Sequence, residues 1–244
     1  MGQTRSGAIS ANENTLDLSR NSLSERIYAH LRLELMSGLH PPGMRLSIRR
    51  LASEFNTSPT PVREAIFQLV REGALELRPG YQPRVPVLDV PVYLNIRETR
   101  LPLERLAGEL AAVHITAEEI EALREYHRRF QQGEADEQWR DALIANQNFH
   151  FAIYNASQNP VLVRVIENLW LLAGPIVNSQ YPNVREASSD MHPHLLVIDA
   201  LERRSPADTG ELLVQDLREG SYRILRQMEE TEKSDFRKSK RAKG

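Results

Sequence analysis

The stretch SPTPVREAIFQLVREG, residues 58–73, decides the fold of the first part of the chain. A proline in the first turn of a helix costs nothing, because its missing N–H would have no intrahelical partner there. Apolar residues then recur at helical spacing until a glycine, which commonly follows the last residue of a helix. The pattern predicts a helix over residues 59–72 whose opening turn carries Ser58, Thr60 and Arg63.

Two helical patterns precede this stretch and a β-like pattern follows it. Ser22 and Glu25 have the spacing of a capping box at the start of the first helix, and the second helix is expected over residues 48–55. After the quoted stretch, short apolar runs on both sides of Arg-Pro-Gly predict a β-hairpin, with its second run over 84–87. Three helices and a hairpin, with a short turn between helices two and three, predict a winged helix-turn-helix over residues 21–88.

The predicted third helix is suited to reading DNA. In a helix-turn-helix this helix lies in the major groove with its first turn at the base edges. The guanidinium of Arg63 can donate two hydrogen bonds to guanine, and the hydroxyls of Ser58 and Thr60 suit phosphate or base contacts. Isolated arginines more often belong to a solvated surface, but here further basic residues of the second helix and the hairpin can contact double-stranded DNA: Arg49, Arg50, Arg78 and Arg84.

Charge is distributed unevenly along the 244 residues, although the formal net charge is only -2. Residues 21–88 contain nine Lys/Arg against six Asp/Glu, whereas residues 89–232 contain fourteen against twenty-four. A basic first domain beside an acidic second domain favours a polyanion as the partner of the first.

Composition excludes several classes of protein. The chain has no cysteine, so disulfides and thiolate metal sites are impossible, which fits a reducing compartment. Neither a long uninterrupted apolar run nor a hydrophobic leader is present, so we expect no membrane span, no signal peptide and a cytoplasmic location. Residues 1–20 and the basic residues 233–244 contain too few apolar side chains for a core, and these two tails are expected to be disordered.

Residues 89–232 show long amphipathic helical patterns and no competing strand pattern. Turn-forming residues separate the patterns, and Thr116 with Glu119 makes a capping box. The expected helices cover 90–113, 116–132, 136–156, 159–179, 192–204 and 208–230. These lengths and short connections predict an all-α antiparallel helical bundle, so the whole chain is expected to be mainly α.

Polar residues recur on these otherwise apolar helices. Asn146 and His150 are four residues apart and therefore share one helical face. His194 and Asp216 lie equally far on either side of a predicted turn, so an antiparallel hairpin places them side by side. If the two pairs face each other, the four residues form a nitrogen and oxygen site for zinc, nickel, manganese or iron.

The first domain resembles the GntR superfamily of bacterial transcription regulators. The matching run, residues 41–86, is PPGMRLSIRRLASEFNTSPTPVREAIFQLVREGALELRPGYQPRVP, which follows the family pattern of Pro-Gly, Leu-Ala, Ser-x-Thr-Pro-Val-Arg-Glu-Ala, Glu-Gly and a wing glycine. Family members usually have arginine where Pro59 stands, and many have glutamate in place of Ile48, so the operator sequence is expected to differ. Carried over by position, the DNA contacts of the family fall on Arg49, Ser58, Thr60, Arg63 and Gly80.

The second domain, about residues 90–230, looks like the all-helical FCD form of the fatty-acid-regulator (FadR-like) branch. The runs that carry this resemblance are RETRLPLERLAGELAA, NQNFHFAIYNASQNPVLVRVIENLW and HLLVIDALERRSP. The resemblance implies an effector site in which Arg100 faces the ligand beside a divalent metal. The family has a third histidine where this chain has Asp216, and a neutral asparagine is a weak ligand, so low metal affinity is expected. The implied metal ligands are Asn146, His150, His194 and Asp216.

Two alternatives remain for this domain. Arg100 and the histidines can bind an organic carboxylate without an ion, because the guanidinium fork matches a carboxylate. A histidine on a bundle helix more often has a structural role, which we expect for His114 and His192. Trp170, Asn178 and Tyr181 are candidates for the pocket wall or for ordinary core and loop positions.

The expected function is a homodimeric transcription regulator, a repressor, that reads an inverted-repeat operator and responds to a small organic acid. The alternative is a metal-dependent enzyme that uses His150, His194 and Asp216. The chain has no obvious general base, nucleophile elbow or phosphate loop, so we expect no enzyme. A purely structural DNA-bending protein would not need polar residues that converge inside an acidic bundle.

Overall fold

The computed structural model describes residues 18–178, 181 and 192–241, and this part of the chain is mainly helical. Helices α1 to α3 form the N-terminal domain, and α4 to α9 form the C-terminal bundle. In chain order they are α1 (Leu18–Met36), α2 (Ile48–Glu54), α3 (Pro59–Arg71), α4 (Val90–His114), α5 (Ala117–Ala135), α6 (Trp139–Ala156), α7 (Pro160–Val177), α8 (Pro193–Glu202) and α9 (Pro206–Arg241).

Helix α3 begins where its two prolines predict it. Ser58 is the N-cap residue in an extended conformation, and a proline occupies the first turn. The apolar face of the helix is buried against α1 and α2 and contains Val62, Ala65, Ile66 and Leu69. Because these positions repeat at helical spacing, their burial leaves the opposite face of α3 in solvent.

The predicted wing is present in a minimal form. The backbone N–H of Glu76 donates to the carbonyl of Arg84 at 2.8 Å and the N–H of Arg84 donates back at 2.9 Å. A second antiparallel bridge joins Arg84 to Arg45. Three prolines between residues 79 and 86 lack an N–H and therefore cannot extend this ladder. Gly80, with φ of 79°, occupies the left-handed conformation at the turn.

Two boundaries differ by a helical turn or more from those predicted. Helix α1 begins at Leu18, so Ser22 lies inside the helix and is not its N-cap. No glycine or proline stands between these residues, and the helix therefore extends one turn further towards the N-terminus. Helix α9 continues to Arg241, through most of the tail expected to be disordered, because Lys, Arg and Glu are good helix formers. The rest of the two tails, residues 1–17 and 242–244, lies outside the described residues.

The bundle is built on the pairs α4 with α9 and α5 with α6, with α8 packed between α5 and α9. The predicted capping box of α5 is confirmed, since Thr116 and Glu119 each accept a backbone hydrogen bond from the other. The main core of the bundle contains residues from five helices: Ala111, Ile115, Leu123, Phe149, Ile153, Val197, Leu201 and Leu213.

Helix α7 is an inner helix of the protein. Among the described helices it alone has the length and apolar composition of a membrane span, with a mean hydropathy of 1.5. Ile166, Trp170 and Leu171 are nevertheless buried in the protein core, at 5% exposure or less. The apolar side chains of α7 are therefore buried by other helices of the same fold.

The hydrophobic core is continuous across the domain boundary, with α1 packed against α7. Gly174 allows the close approach, because a Cβ at this position would lie 2.6 Å from the carbonyl oxygen of Met36. Polar contacts reinforce the interface: Arg32 pairs with Glu167 at 3.3 Å, and the buried hydroxyl of Ser37 bonds to Gln147. The C-terminal end of α1 is therefore fixed to α6 and α7.

Candidate DNA-reading surface and effector cavity

The first turn of α3 presents the polar side chains that the sequence singled out. Ser58, Thr60 and Arg63 are all exposed. The hydroxyl of Ser58 makes no capping hydrogen bond, and Arg63 has no ion pair within the described part of the chain. These groups are available to an external partner, as base and phosphate contacts require.

The other arginines predicted to bind DNA fall into two groups. Arg49 is exposed and, among the residues described, has no ion pair. Arg50 pairs with Glu54 at 2.7 Å, and Arg84 donates from Nε and Nη2 to Glu76 at 2.9 and 2.5 Å. The latter pair spans the bridge of the wing, so the structure gives Arg84 a role in holding the wing as well. Arg78 lies 3.9 Å from the same glutamate and remains exposed.

Three further residues affect this surface. Pro59 is exposed in the first turn of α3, and Ile48 is packed against the core of the domain. Tyr81, next to the wing glycine, is 69% exposed and was not predicted as a site residue. Its position directly after the wing glycine is the feature of the sequence from which its exposure could have been predicted.

A cavity of about 80 Å³ lies at the centre of the bundle. All five residues predicted to bind an effector or a metal line it: Arg100, Asn146, His150, His194 and Asp216. Trp170 and Tyr181 also line the cavity, whereas Asn178 does not and instead caps the C-terminus of α7. The convergence predicted from spacing for Asn146, His150, His194 and Asp216 is therefore found, and Arg100 lines the same cavity, as the resemblance implied. Their roles as ligands stay predictions.

Arg100 is held by a buried hydrogen-bond network. Its Nε donates to Glu104 at 2.6 Å, and its guanidinium carbon lies 4.6 Å from the ring centroid of Trp170. The same glutamate accepts hydrogen bonds from Trp170 Nε1 at 3.0 Å and from the hydroxyl of Tyr154 at 2.5 Å. Burial and the neighbouring Glu104 carboxylate raise the pKa of Tyr154 well above its ordinary value, so this hydroxyl remains a donor. The network fixes the guanidinium at the cavity wall.

The nitrogen and oxygen donors lie next to this network, since Nδ1 of His150 is 3.4 Å from the hydroxyl of Tyr154. Nε2 of His150 is 3.2 Å from Oδ2 of Asp216, and one ligand atom each of these residues and of His194 lies within 4.8 Å of the others. Although burial acts to raise it, the hydrogen bond from His150 keeps the pKa of Asp216 below its ordinary value. Burial lowers the pKa of His194 well below its ordinary value. A carboxylate and a neutral imidazole are the protonation states that bind a metal.

Several residues of the cavity wall and of its hydrogen-bond network were missed from the sequence. Glu104 was visible in the motif Arg-x-x-Leu-Glu, and its spacing of four residues from Arg100 is that of a helical ion pair. Tyr154 and Arg223 carry no comparable local signal. Arg223 lines the cavity near Glu134, whose pKa is raised by burial.

Comparison with known proteins agrees with this architecture. Residues 23–83 match the gntR family of bacterial regulatory proteins, and residues 95–219 match the FCD domain. The HTH-type transcriptional regulator McbR of Escherichia coli is 32% identical over 171 residues, covering 70% of this chain and 77% of that protein. A probable D-xylose utilization operon transcriptional repressor of Paenarthrobacter nicotinovorans is 31% identical, covering 78% of this chain and 83% of that protein.

Solved structures show the same fold. The structure of E. coli McbR/YncC superimposes with a TM-score of 0.78 at 28% identity and covers 84% of this chain and 98% of its own. The predicted resemblance to the GntR superfamily and the FCD form is thereby confirmed. The chain belongs to the GntR family of bacterial regulatory proteins, in the FadR-like branch with an FCD domain, and is a transcription regulator rather than an enzyme.

Proposed function

We propose that the protein is a cytoplasmic, homodimeric repressor whose affinity for an inverted-repeat operator changes when a small organic acid binds in the bundle cavity. The observation that carries the effector part is the state of Arg100. Its Nε donates to Glu104, while neither terminal nitrogen of its guanidinium has a partner among the described residues. A guanidinium anchored from one side in this way offers its remaining fork to a carboxylate.

The cavity limits the size of the acid. A single water requires roughly 10–15 Å³ of such space, so the volume of about 80 Å³ accommodates on the order of five to eight water-sized groups. An acid with about this number of non-hydrogen atoms fits. Polar side chains line the cavity, among them Arg100, Asn146 and His150, which suits a small hydroxy or keto acid.

A divalent metal is the second element of the proposal. Asn146, His150, His194 and Asp216 offer an amide oxygen, two imidazoles and a carboxylate, a set that suits zinc, nickel, manganese or iron. Two ligands on one ion are separated by roughly 3 Å when each bond is about 2.1 Å long, and His150 and Asp216 have this spacing. When bound, the ion would place a positive charge beside the carboxylate of the bound acid, which Arg100 also faces.

Helix α7 connects the cavity to the DNA-reading domain. Trp170 and Gly174 line the cavity, and the same helix packs against the C-terminal end of α1. An acid that binds one position of α7 better than another therefore biases the position of the whole N-terminal domain. In a dimer, two recognition helices must match two half-sites at a fixed spacing, so a small rotation changes DNA affinity.

The test has two stages, both with wild-type protein. A thermal-shift screen of small carboxylates, with EDTA or with a divalent metal, identifies an acid that binds the folded state. The amide of the same acid serves as a control of equal size without charge. An operator selected from random DNA is then titrated with and without the acid. We expect a symmetric operator and a change in affinity of at least about fivefold. A selected site without symmetry contradicts the dimer, and an unchanged affinity contradicts the effector role.

A further inference from the structure

Helix α3 exposes one phenylalanine among the polar side chains of its outer face. Thr60, Arg63, Glu64, Phe67 and Arg71 are all exposed. Residues three or four apart are neighbours on a helix, so these five side chains form one continuous stripe. The opposite side of the helix is buried against α1 and α2. Phe67 therefore lies on the same surface that Arg63 offers to DNA.

The fold makes little use of the Phe67 ring. Its side chain is 45% exposed, and within the described part of the chain it belongs to none of the hydrophobic clusters. Val70, one turn later, does pack against the core of the domain. A single exposed apolar residue is common on protein surfaces. Phe67 differs from such residues in its place, one turn after Arg63 on the outer face of a recognition helix.

The position of Phe67 along α3 brings it within reach of the bases. Homeodomains read the major groove through residues spaced i, i+3, i+4 and i+7 on their recognition helix. Thr60, Arg63, Glu64 and Phe67 have this spacing. Four residues advance a helix by about 6 Å, and successive base pairs are about 3.4 Å apart. Phe67 is therefore expected to face a base pair about two steps from the one that Arg63 contacts.

The chemistry of the ring narrows what it can recognise. Phenylalanine has no hydrogen-bonding atom, and in the major groove thymine is the base that presents an apolar group, its C5-methyl. Neither Phe67 nor Glu64 can donate to a phosphate, so the middle of the stripe suits base edges better than the backbone. The exposed guanidinium groups of Arg63 and Arg71, on either side along the helix, complement the negative charge of DNA.

We propose that Phe67 is a specificity-determining residue that packs against the C5-methyl group of a thymine in each half-site of the operator. This contact rests on the proposed operator binding and adds a second base to the one that Arg63 contacts. Removal of one methyl group from water corresponds to roughly a fourfold change in affinity. The contact is apolar, so it distinguishes thymine from cytosine, the other pyrimidine, through the methyl group.

Replacement of thymine by uracil tests the contact, because uracil lacks only the C5-methyl group and keeps the same base pairing. An operator selected from random DNA by the full-length wild type is synthesised with each thymine replaced in turn, and affinity is measured by fluorescence anisotropy. We expect the affinity of the wild type to fall about fourfold at one thymine of a half-site. Phe67→Ala should bind the thymine and uracil operators equally at that position.

Three further variants separate this contact from other effects. Phe67→Leu keeps an apolar side chain and should retain most of the sensitivity to uracil. Thr60→Ser removes the other methyl group of the stripe, and Leu33→Ala removes a side chain that is 57% exposed on α1. Both of these variants should keep the fourfold loss at the thymine assigned to Phe67.

Equal sensitivity to uracil in wild type and Phe67→Ala at every thymine overturns the proposal, and so does a wild type that is insensitive throughout. The second result does not depend on the folding of any variant. A selected operator without symmetry, or without a response to acids, contradicts the proposed function and leaves the uracil comparison intact. If the wild type selects no site at all, both proposals are overturned.

Discussion

The polar side chains of the DNA-reading surface and those of the effector cavity differ in burial and in hydrogen bonding. On the first turn of α3, Ser58, Thr60 and Arg63 are exposed and contribute little to the fold. In the cavity, Arg100 and Glu104 are 6% and 1% exposed and are bonded to each other and to the aromatic residues around them. Operator preference can therefore change without loss of stability, whereas the cavity residues also hold the bundle together.

A substitution that breaks the buried network around Arg100 should have the largest effect on the free energy of unfolding. Glu104→Gln leaves Arg100 buried without its counter-ion and is expected to lower the free energy of unfolding by about 3–5 kcal/mol, measured by urea denaturation. The control is Glu109→Gln on the same helix, since the Arg105–Glu109 pair at 3.0 Å is half-exposed and should contribute less than about 1 kcal/mol. Equal losses in the two variants would mean that the cavity network is no more structural than a surface pair.

Gly174 lies between the two regions and tests whether they form one packed unit. Gly174→Ala places a Cβ against the carbonyl of Met36 and is expected to destabilise the protein by about 1–3 kcal/mol through overpacking. Gly220→Ala is the matched control, because a Cβ there meets no atom within 4 Å and should stabilise the helix by roughly 0.5–1 kcal/mol. Thermal unfolding measures both, and a neutral Gly174→Ala would argue against a tight domain contact.

On the DNA-reading surface the effect should appear in binding alone. Arg63→Ala is expected to weaken operator binding by about 1–3 kcal/mol, while the free energy of unfolding changes by less than about 0.5 kcal/mol. Fluorescence anisotropy with labelled operator gives the first quantity and urea denaturation the second. Arg71→Ala, at the opposite end of the same helix, removes the same charge and should have little effect. If the two variants bind equally, Arg63 does not read a base.

The smallest expected effect is a gain in affinity for DNA. Pro59→Arg introduces, at this exposed position, the arginine that the family pattern implies, and should add one phosphate contact. The slope of log affinity against log salt then steepens by about 0.9, with affinity rising a few-fold at low salt. Pro59→Ala separates the new contact from loss of the proline, and identical slopes in the two variants would exclude the contact.

The sequence predicted the parts of this molecule that depend on local signals. Prolines, caps and helical spacing located α3, and His150 and Asp216 were found because each shares a helix face or a hairpin with its neighbour. Arg100 was named only because the resemblance to the family implied it. Trp170 and Tyr154 meet Glu104 from other helices, 66 and 50 residues away in sequence, so local patterns could not place them around it. Nor could they show that Gly174 touches α1, because that contact depends on how the two domains pack.

The affinity of wild-type protein for its selected operator, measured with and without a saturating acid, tests the link between the two regions most directly. We expect the acid to change this affinity by at least about fivefold, and the operator to change acid affinity by the same factor, because coupling between two binding sites is reciprocal. An acid that fills the cavity and leaves DNA affinity unchanged would contradict the proposed regulation.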